Sequence, residues 1–212
     1  MTIKTLKNTL IENMRYLISK EMNLETEGNI SLRYNDGFII SQSAINPYKM
    51  EEKNIIFIDS KGKYKKSDKP STEWKMHYYL YQKRSDAKAI VHCHSLWAST
   101  LSCLRKNIPS FHYMVAEMGG TDIKCSKYAT FGTSNLAENI CIAIENRKGC
   151  LISNHGQITI GNSIEEAMHN AFALEKLSKQ FYFCLLSNNY KILNKRQINE
   201  SLKLFNTYKS KH

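Results

Sequence analysis

The sequence of 212 residues has only three prolines, no run of 18 apolar residues, no CxxC pair and no arginine-rich stretch. Without the apolar run there is no candidate for a membrane-spanning helix, which needs about 20 such residues. The amino terminus, MTIKTLKNTLIENMRYLISK, places polar or charged residues in every turn and shows no apolar segment ahead of a cleavage site. A cytoplasmic chain is therefore expected, with no membrane partner. The six cysteines, Cys93, Cys103, Cys125, Cys141, Cys150 and Cys184, sit mostly in apolar surroundings, which suits reduced thiols better than a disulfide framework.

Charge of one sign is in surplus, with 30 Lys and Arg against 19 Asp and Glu, a net +11. Outside the Lys61, Lys63, Lys65, Lys66 loop and the segment from Lys191 to Lys211, the basic residues are scattered singly. No aromatic strand of the RNA-binding kind lies between them, so no nucleic-acid partner is expected. Such a field still concentrates small anions near the surface. With 42% hydrophobic and 23% charged residues the composition is that of a globular protein, and the length suits a single domain over residues 1–212. The basic tail from about residue 195 is a candidate mobile segment.

Ile3, Leu6, Leu10, Met14, Leu17 and Ile18 recur at helical spacing and predict an opening amphipathic helix. NISLRYNDGFIIS then reads as two strands joined around Asn35-Asp36-Gly37, and IIFID at 55–59 as a third. Pro70-Ser71-Thr72 predicts a helix start, with Ser71 or Thr72 as cap and Glu73 in the first turn. A strand at Ala89–Cys93, helices near 96–106 and 134–147, a strand at 150–153 and a long helix from 164 follow. Ser163 and Glu166 form a capping box for that last helix. The fold class expected is α/β, one domain with a central, largely antiparallel sheet covered by helices.

The chemistry begins at His92-Cys93-His94, because the period of two along a strand turns both imidazoles to one face. Such a pair is equally what two hydrogen-bonded core histidines would present. A third imidazole, in Asn154-His155-Gly156, also closes an apolar strand, and two neighbouring strand ends would bring three neutral imidazoles around one ion, the donor set of a catalytic zinc site. Glu73 stands where a helix N-terminus favours an anion, although a first-turn acid also simply complements the helix dipole.

In order along the chain, Gly28-Asn29-Ile30-Ser31, Ser43-Ala44, Ser71-Thr72-Glu73-Trp74, His92-Cys93-His94 and Asn154-His155-Gly156 resemble the class II aldolase and adducin head family over nearly the whole length. The resemblance implies one Zn2+ per subunit, held by His92, His94 and His155, with Glu73 as catalytic acid/base and a further ligand at rest. It implies a phosphate cradle of Gly28, Asn29, Ser43, Ala44, Ser71 and Thr72. Tyr113 and Tyr208 resemble a pair of catalytic tyrosines supplied by a neighbouring subunit of a cyclic homotetramer, with active sites at subunit boundaries. The reaction implied is retro-aldol cleavage of a small sugar phosphate, with zinc as the Lewis acid that stabilises the enediolate. A pentulose-5-phosphate epimerase and a methylthio-pentulose-phosphate dehydratase share the scaffold and are the alternatives. A non-catalytic scaffold of the adducin kind would be expected to lack the three histidines. One departure is Ala44, where the family usually has glycine, the residue that tolerates positive φ.

Overall fold

Strand and helix periodicities sort the apolar side chains of this chain onto the two faces of one sheet. The computed structural model describes residues 2–209, except for the side chains of residues 206, 208 and 209. Helix α1 (Ile3–Ser19) leads into strands β1 (Asn29–Tyr34), β2 (Gly37–Ser41) and β3 (Ile55–Ile58), then α2 (Trp74–Lys83), β4 (Ala89–Cys93) and α3 (Leu96–Ser102). After a 3-10 turn at Tyr113–Met118 come α4 (Ser134–Ile144), β5 (Gly149–Ile152), β6 (Gly156–Gly161), α5 (Ile164–Ser187) and α6 (Lys195–Lys209). The six strands lie in the order β3-β2-β1-β4-β6-β5, and every neighbouring pair is antiparallel.

Alternation along the strands gives each face its own core. Ile30, Leu32, Val91 and Cys93 point to one face, where Leu10, Met14 and Leu17 of α1 and Ala167 and Ala171 of α5 cover them. Ile40, Ile90, Ile158 and Ile160 point to the other, under Met76 and Leu80 of α2 and Leu136 and Ile140 of α4. Each fully buried side chain of this size stabilises the fold by roughly 2 kcal/mol. A third cluster joins Leu101, Val115, Leu174, Phe181 and Ile198. Among the described residues no helix is long and apolar enough to cross a membrane.

The differences from the expected elements are local. The β1–β2 turn is Asn35-Asp36, and the positive φ falls on Asn35 (48°), while Gly37 already belongs to β2. Helix α2 begins at Trp74, with Glu73 as its boundary residue rather than in its first turn, and Ser71 receives the Glu73 amide at 3.3 Å. Helix α3 stops at Ser102, short of the expected 106, ahead of a left-handed Arg105 (φ 51°). Strand β6 has no counterpart in the sequence reading; its alternation, Gln157-Ile158-Thr159-Ile160, spans only four residues between two glycines. From Lys195 the basic tail forms α6, with Ile198 buried and Phe205 stacked 6.2 Å from Tyr113. Half of the expected capping box forms: Glu166 N–H donates to Ser163 Oγ at 3.2 Å, while the Glu166 carboxylate receives the amide of Asn162, one residue ahead of the cap, at 2.9 Å.

Candidate active site

Three places in the sheet converge on one point. Strand β4 ends at Cys93, so His92 and His94 project from its last residues to the α2 face, while Cys93 packs into the opposite core. Strand β6 pairs with β4 in the register Cys93↔Gln157, and the turn that opens β6 carries His155 beside His94. Gly156 makes that approach feasible, because a Cβ there would meet the Cys93 carbonyl oxygen at 2.4 Å. The glycine serves close packing of two strands, whereas the positive φ of this turn belongs to Asn154 (54°). From across the sheet, the start of α2 brings in Glu73, buried to 7% exposure.

The Nε2 atoms of His92 and His94 lie 3.0 Å apart, and those of His94 and His155 2.9 Å apart. Glu73 Oε2 is 3.1 Å from His92 Nε2 and Oε1 is 3.1 Å from His155 Nε2. One donor atom from each of the four residues falls within 4.8 Å of all the others. A tetrahedron with metal–nitrogen bonds of 2.0 to 2.1 Å has edges of ~3.3 Å, so the spacing suits one small divalent ion. Tautomers agree with this. His92 Nδ1 is 2.7 Å from the Gln157 carbonyl oxygen, a bond in which the ring must donate, so the neutral ring turns the Nε2 lone pair toward the cluster. Burial, followed by the neighbouring His92 and His155, lowers His94 to about 3, which leaves it a neutral imidazole. Burial works against ionisation of Glu73, but His92 and His155 outweigh it and hold the carboxyl well below the ordinary range.

A cleft of about 360 Å³ opens over this cluster. Its walls include Gly28, Asn29, Ser43, Ala44, Ser71, Thr72, Glu73, His94 and His155, so nine residues singled out from the sequence share one space; His92 is fully buried beneath. The cradle is built from turns. Ser43 N–H donates to the Lys69 carbonyl at 3.1 Å and Ser71 N–H to the Ser41 carbonyl at 3.0 Å, which ties the loop after β2 to the loop before α2. Ala44 takes φ 55°, the conformation glycine would adopt without strain. Gly28 has φ 65°, and a Cβ there would meet the His92 carbonyl oxygen at 2.6 Å.

The sequence of the family described as Class II Aldolase and Adducin N-terminal domain matches residues 8–182. The chain belongs to this family. Together with the aldolases it is similar to, membership identifies the protein as a metal-dependent aldehyde-lyase. The chain is 39% identical to the L-fuculose phosphate aldolase of Escherichia coli over 188 residues, 88% of this chain and 87% of the relative. It is 38% identical to the 5-methylthioribulose-1-phosphate/5-deoxyribulose-1-phosphate aldolase of Rhodospirillum rubrum over 203 residues, 96% of this chain and 92% of the relative. A solved L-fuculose 1-phosphate aldolase superposes with a TM-score of 0.92 at 30% identity, covering 97% of this chain and 98% of its own.

Of the two expected tyrosines, one lies outside the cleft and the other has a side chain outside the described residues. Tyr113 is half exposed and lines a second cavity with His112, Glu117 and His169, outside the cleft of its own chain. Tyr208 falls in α6, and its side chain lies outside the described residues. Other groups escape sequence reasoning. Asn23 Oδ1 receives the His94 amide at 2.9 Å, and Glu27, 3.8 Å from His94 Nδ1, lines the cleft. His77 lies beneath Asn29, and the signal that would have found it is its spacing of four from Glu73 at the head of α2.

Proposed function

We propose that this chain is a zinc-dependent aldolase that cleaves L-fuculose 1-phosphate, or a closely related ketose 1-phosphate, to glycerone phosphate and an aldehyde, L-lactaldehyde in the first case. The observation that carries this reading is a buried carboxylate clustered with three converging imidazoles, at the floor of a cleft whose other walls include the hydroxyls and turns of Ser43, Ser71 and Thr72. His92, His94, His155 and, at rest, Glu73 would hold the ion. When bound, zinc supplies a Lewis acid for the negative charge that retro-aldol cleavage leaves next to the ketone.

The remaining work falls to side chains. Ser43, Ser71 and Thr72, with the turns at Gly28 and Ala44 and with Asn29 holding Ser71 by its side chain, receive the phosphate near the start of α2, where helix amides favour an anion. No lysine or arginine lines the cleft among the described residues, so this grip rests on neutral donors while the net positive charge acts at longer range. Tyr113, with Tyr208, reaches the cleft of a neighbouring subunit in a cyclic homotetramer and assists removal of the C4 hydroxyl proton. The C3–C4 bond then breaks, and Glu73 handles the proton that C3 of the three-carbon fragment gains. A cytoplasmic location fits this chemistry.

A second reading, 5-deoxypentulose 1-phosphates as substrates, is favoured by the Rhodospirillum rubrum relative, which matches at nearly the same identity over more of the chain. The two substrates share the phosphorylated end and differ in the aldehyde released. A panel of L-fuculose 1-phosphate, 5-deoxyribulose 1-phosphate and ribulose 5-phosphate, assayed by reduction of released glycerone phosphate, tests both. Highest kcat/KM on L-fuculose 1-phosphate is expected. Epimerisation of the 5-phosphate without cleavage of either 1-phosphate would overturn the aldolase reading.

A further inference from the structure

Below the cleft, on the α2 face of the sheet, a line of buried polar groups runs from the core to Glu73. Asn29 sits opposite His92 in the β1–β4 register and spends its whole amide group inward. Its Nδ2 donates to Glu73 Oε2 and to Ser71 Oγ, both at 3.1 Å. Its Oδ1 meets His77 Nε2. The other ring nitrogen of His77, Nδ1, lies 2.7 Å from Ser31 Oγ, which in turn lies 2.9 Å from the Tyr81 hydroxyl. His77 is fully buried, and Asn29 and Ser31 nearly so.

We propose that His77 is a positioning residue, whose Nε2–H fixes the amide of Asn29 so that its NH2 faces Glu73 and Ser71. The proposal rests on the reading of Glu73 as the acid/base and of Ser71 as part of the phosphate cradle. An asparagine amide turned by half a rotation would set its oxygen against the Glu73 carboxylate, acceptor facing acceptor. A donor at Oδ1 fixes the same orientation from the opposite side. His77 supplies that donor if its ring is the neutral Nε2–H tautomer, and the Ser31 hydroxyl, which donates to the Tyr81 oxygen, then shares its proton with Nδ1. Burial, with His92 nearby, holds the ring neutral, its pKa lowered to about 3. A second proton on the ring would take away the acceptor that faces Ser31. His77 touches neither the ion's donor atoms nor the open cleft, and it acts through Asn29.

The test combines kinetics with a readout independent of turnover. His77→Leu in the metal-loaded enzyme is expected to keep its metal while losing about 10- to 100-fold in kcat, the usual scale for a group that orients a site residue. His77→Gln, which restores an N–H donor, is expected to recover most of that loss. His77→Leu combined with Asn29→Ala is expected to be no worse than Asn29→Ala alone, since one residue acts through the other. Losses that multiply in the double variant, or wild-type kcat in His77→Leu, would overturn the proposal. Nitrogen-15 NMR of the histidine rings in the wild-type enzyme is expected to show His77 as the Nε2–H tautomer, and the Nδ1–H tautomer would overturn it whatever the kinetics. If the wild-type enzyme cleaves no ketose 1-phosphate, the functional reading fails and the tautomer alone decides the proposal.

Discussion

The two ends of the cleft are built by different means. At the metal end, side chains carry the geometry: His92, His94 and His155 project from the ends of two paired strands and are held by bonds to the Gln157 carbonyl and to Asn23. At the proposed phosphate end, backbone carries most of it: main-chain bonds join the loops at 43–44 and 71–72, the Asn29 side chain bonds Ser71, and the chain bends through positive φ at Gly28 and Ala44. Glu73 stands at the joint, boundary residue of α2 and neighbour of two imidazoles. A metal end of this kind should fail on loss of one donor atom, whereas a backbone cradle should respond to changes of conformation and only weakly to loss of one hydroxyl.

The largest expected effect is at the metal end. His94→Ala should lose both the bound metal and turnover, by at least ~10³-fold, because the missing electrophile is worth several kcal/mol in the transition state. Metal analysis of the purified variant checks this directly, and a full complement of metal at normal activity would end the ligand assignment. At the joint, Glu73→Gln should keep the metal, held by three histidines, yet lose on the order of 10³-fold in kcat.

Smaller effects distinguish the supporting shell from the cradle. With His77 lowered to about 3, the unfolded chain takes up the proton first as pH falls, so stability is unaffected by this group above about 6.5 and declines from there toward 3. His77→Gln should flatten that part of a denaturant-midpoint profile against pH. At the phosphate end, Ala44→Gly should raise stability by about 1 kcal/mol, since it relieves a left-handed alanine, and should leave metal content untouched. A fall in thermal midpoint for Ala44→Gly would show that the loop is not strained there, and would remove the contrast between the two ends.

Legibility in the sequence follows the same division. The histidine pair is readable because strand period places residues two apart on one face, and the structure turns His92 and His94 that way while sending Cys93 into the opposite core. The joining of His155 to them depends on β4–β6 pairing, a contact between residues more than 60 positions apart that no local pattern encodes, and β6 itself goes unread. Ser71, Thr72 and Glu73 are recognisable as a helix entrance, although the helix begins one residue later than expected, since Glu73 itself takes the boundary conformation. The positive φ of Ala44 is foreshadowed by the glycine usual in its family, whereas His77 reads from sequence only as part of an amphipathic helix. Its partner Asn29 lies 48 residues away on another element. The basic tail illustrates the reverse case: its lysines obscure the apolar positions Ile198, Leu202 and Phe205 that pack α6 onto the third core.

The central claim is that the cluster of Glu73, His92, His94 and His155 is the metal centre of a ketose-1-phosphate aldolase. The most direct test is to measure cleavage of L-fuculose 1-phosphate by the same preparation after chelation and again after return of zinc, with metal content determined at each step. The account predicts about one zinc per chain, loss of cleavage on chelation and recovery on reloading. Cleavage that persists in fully stripped protein would contradict it.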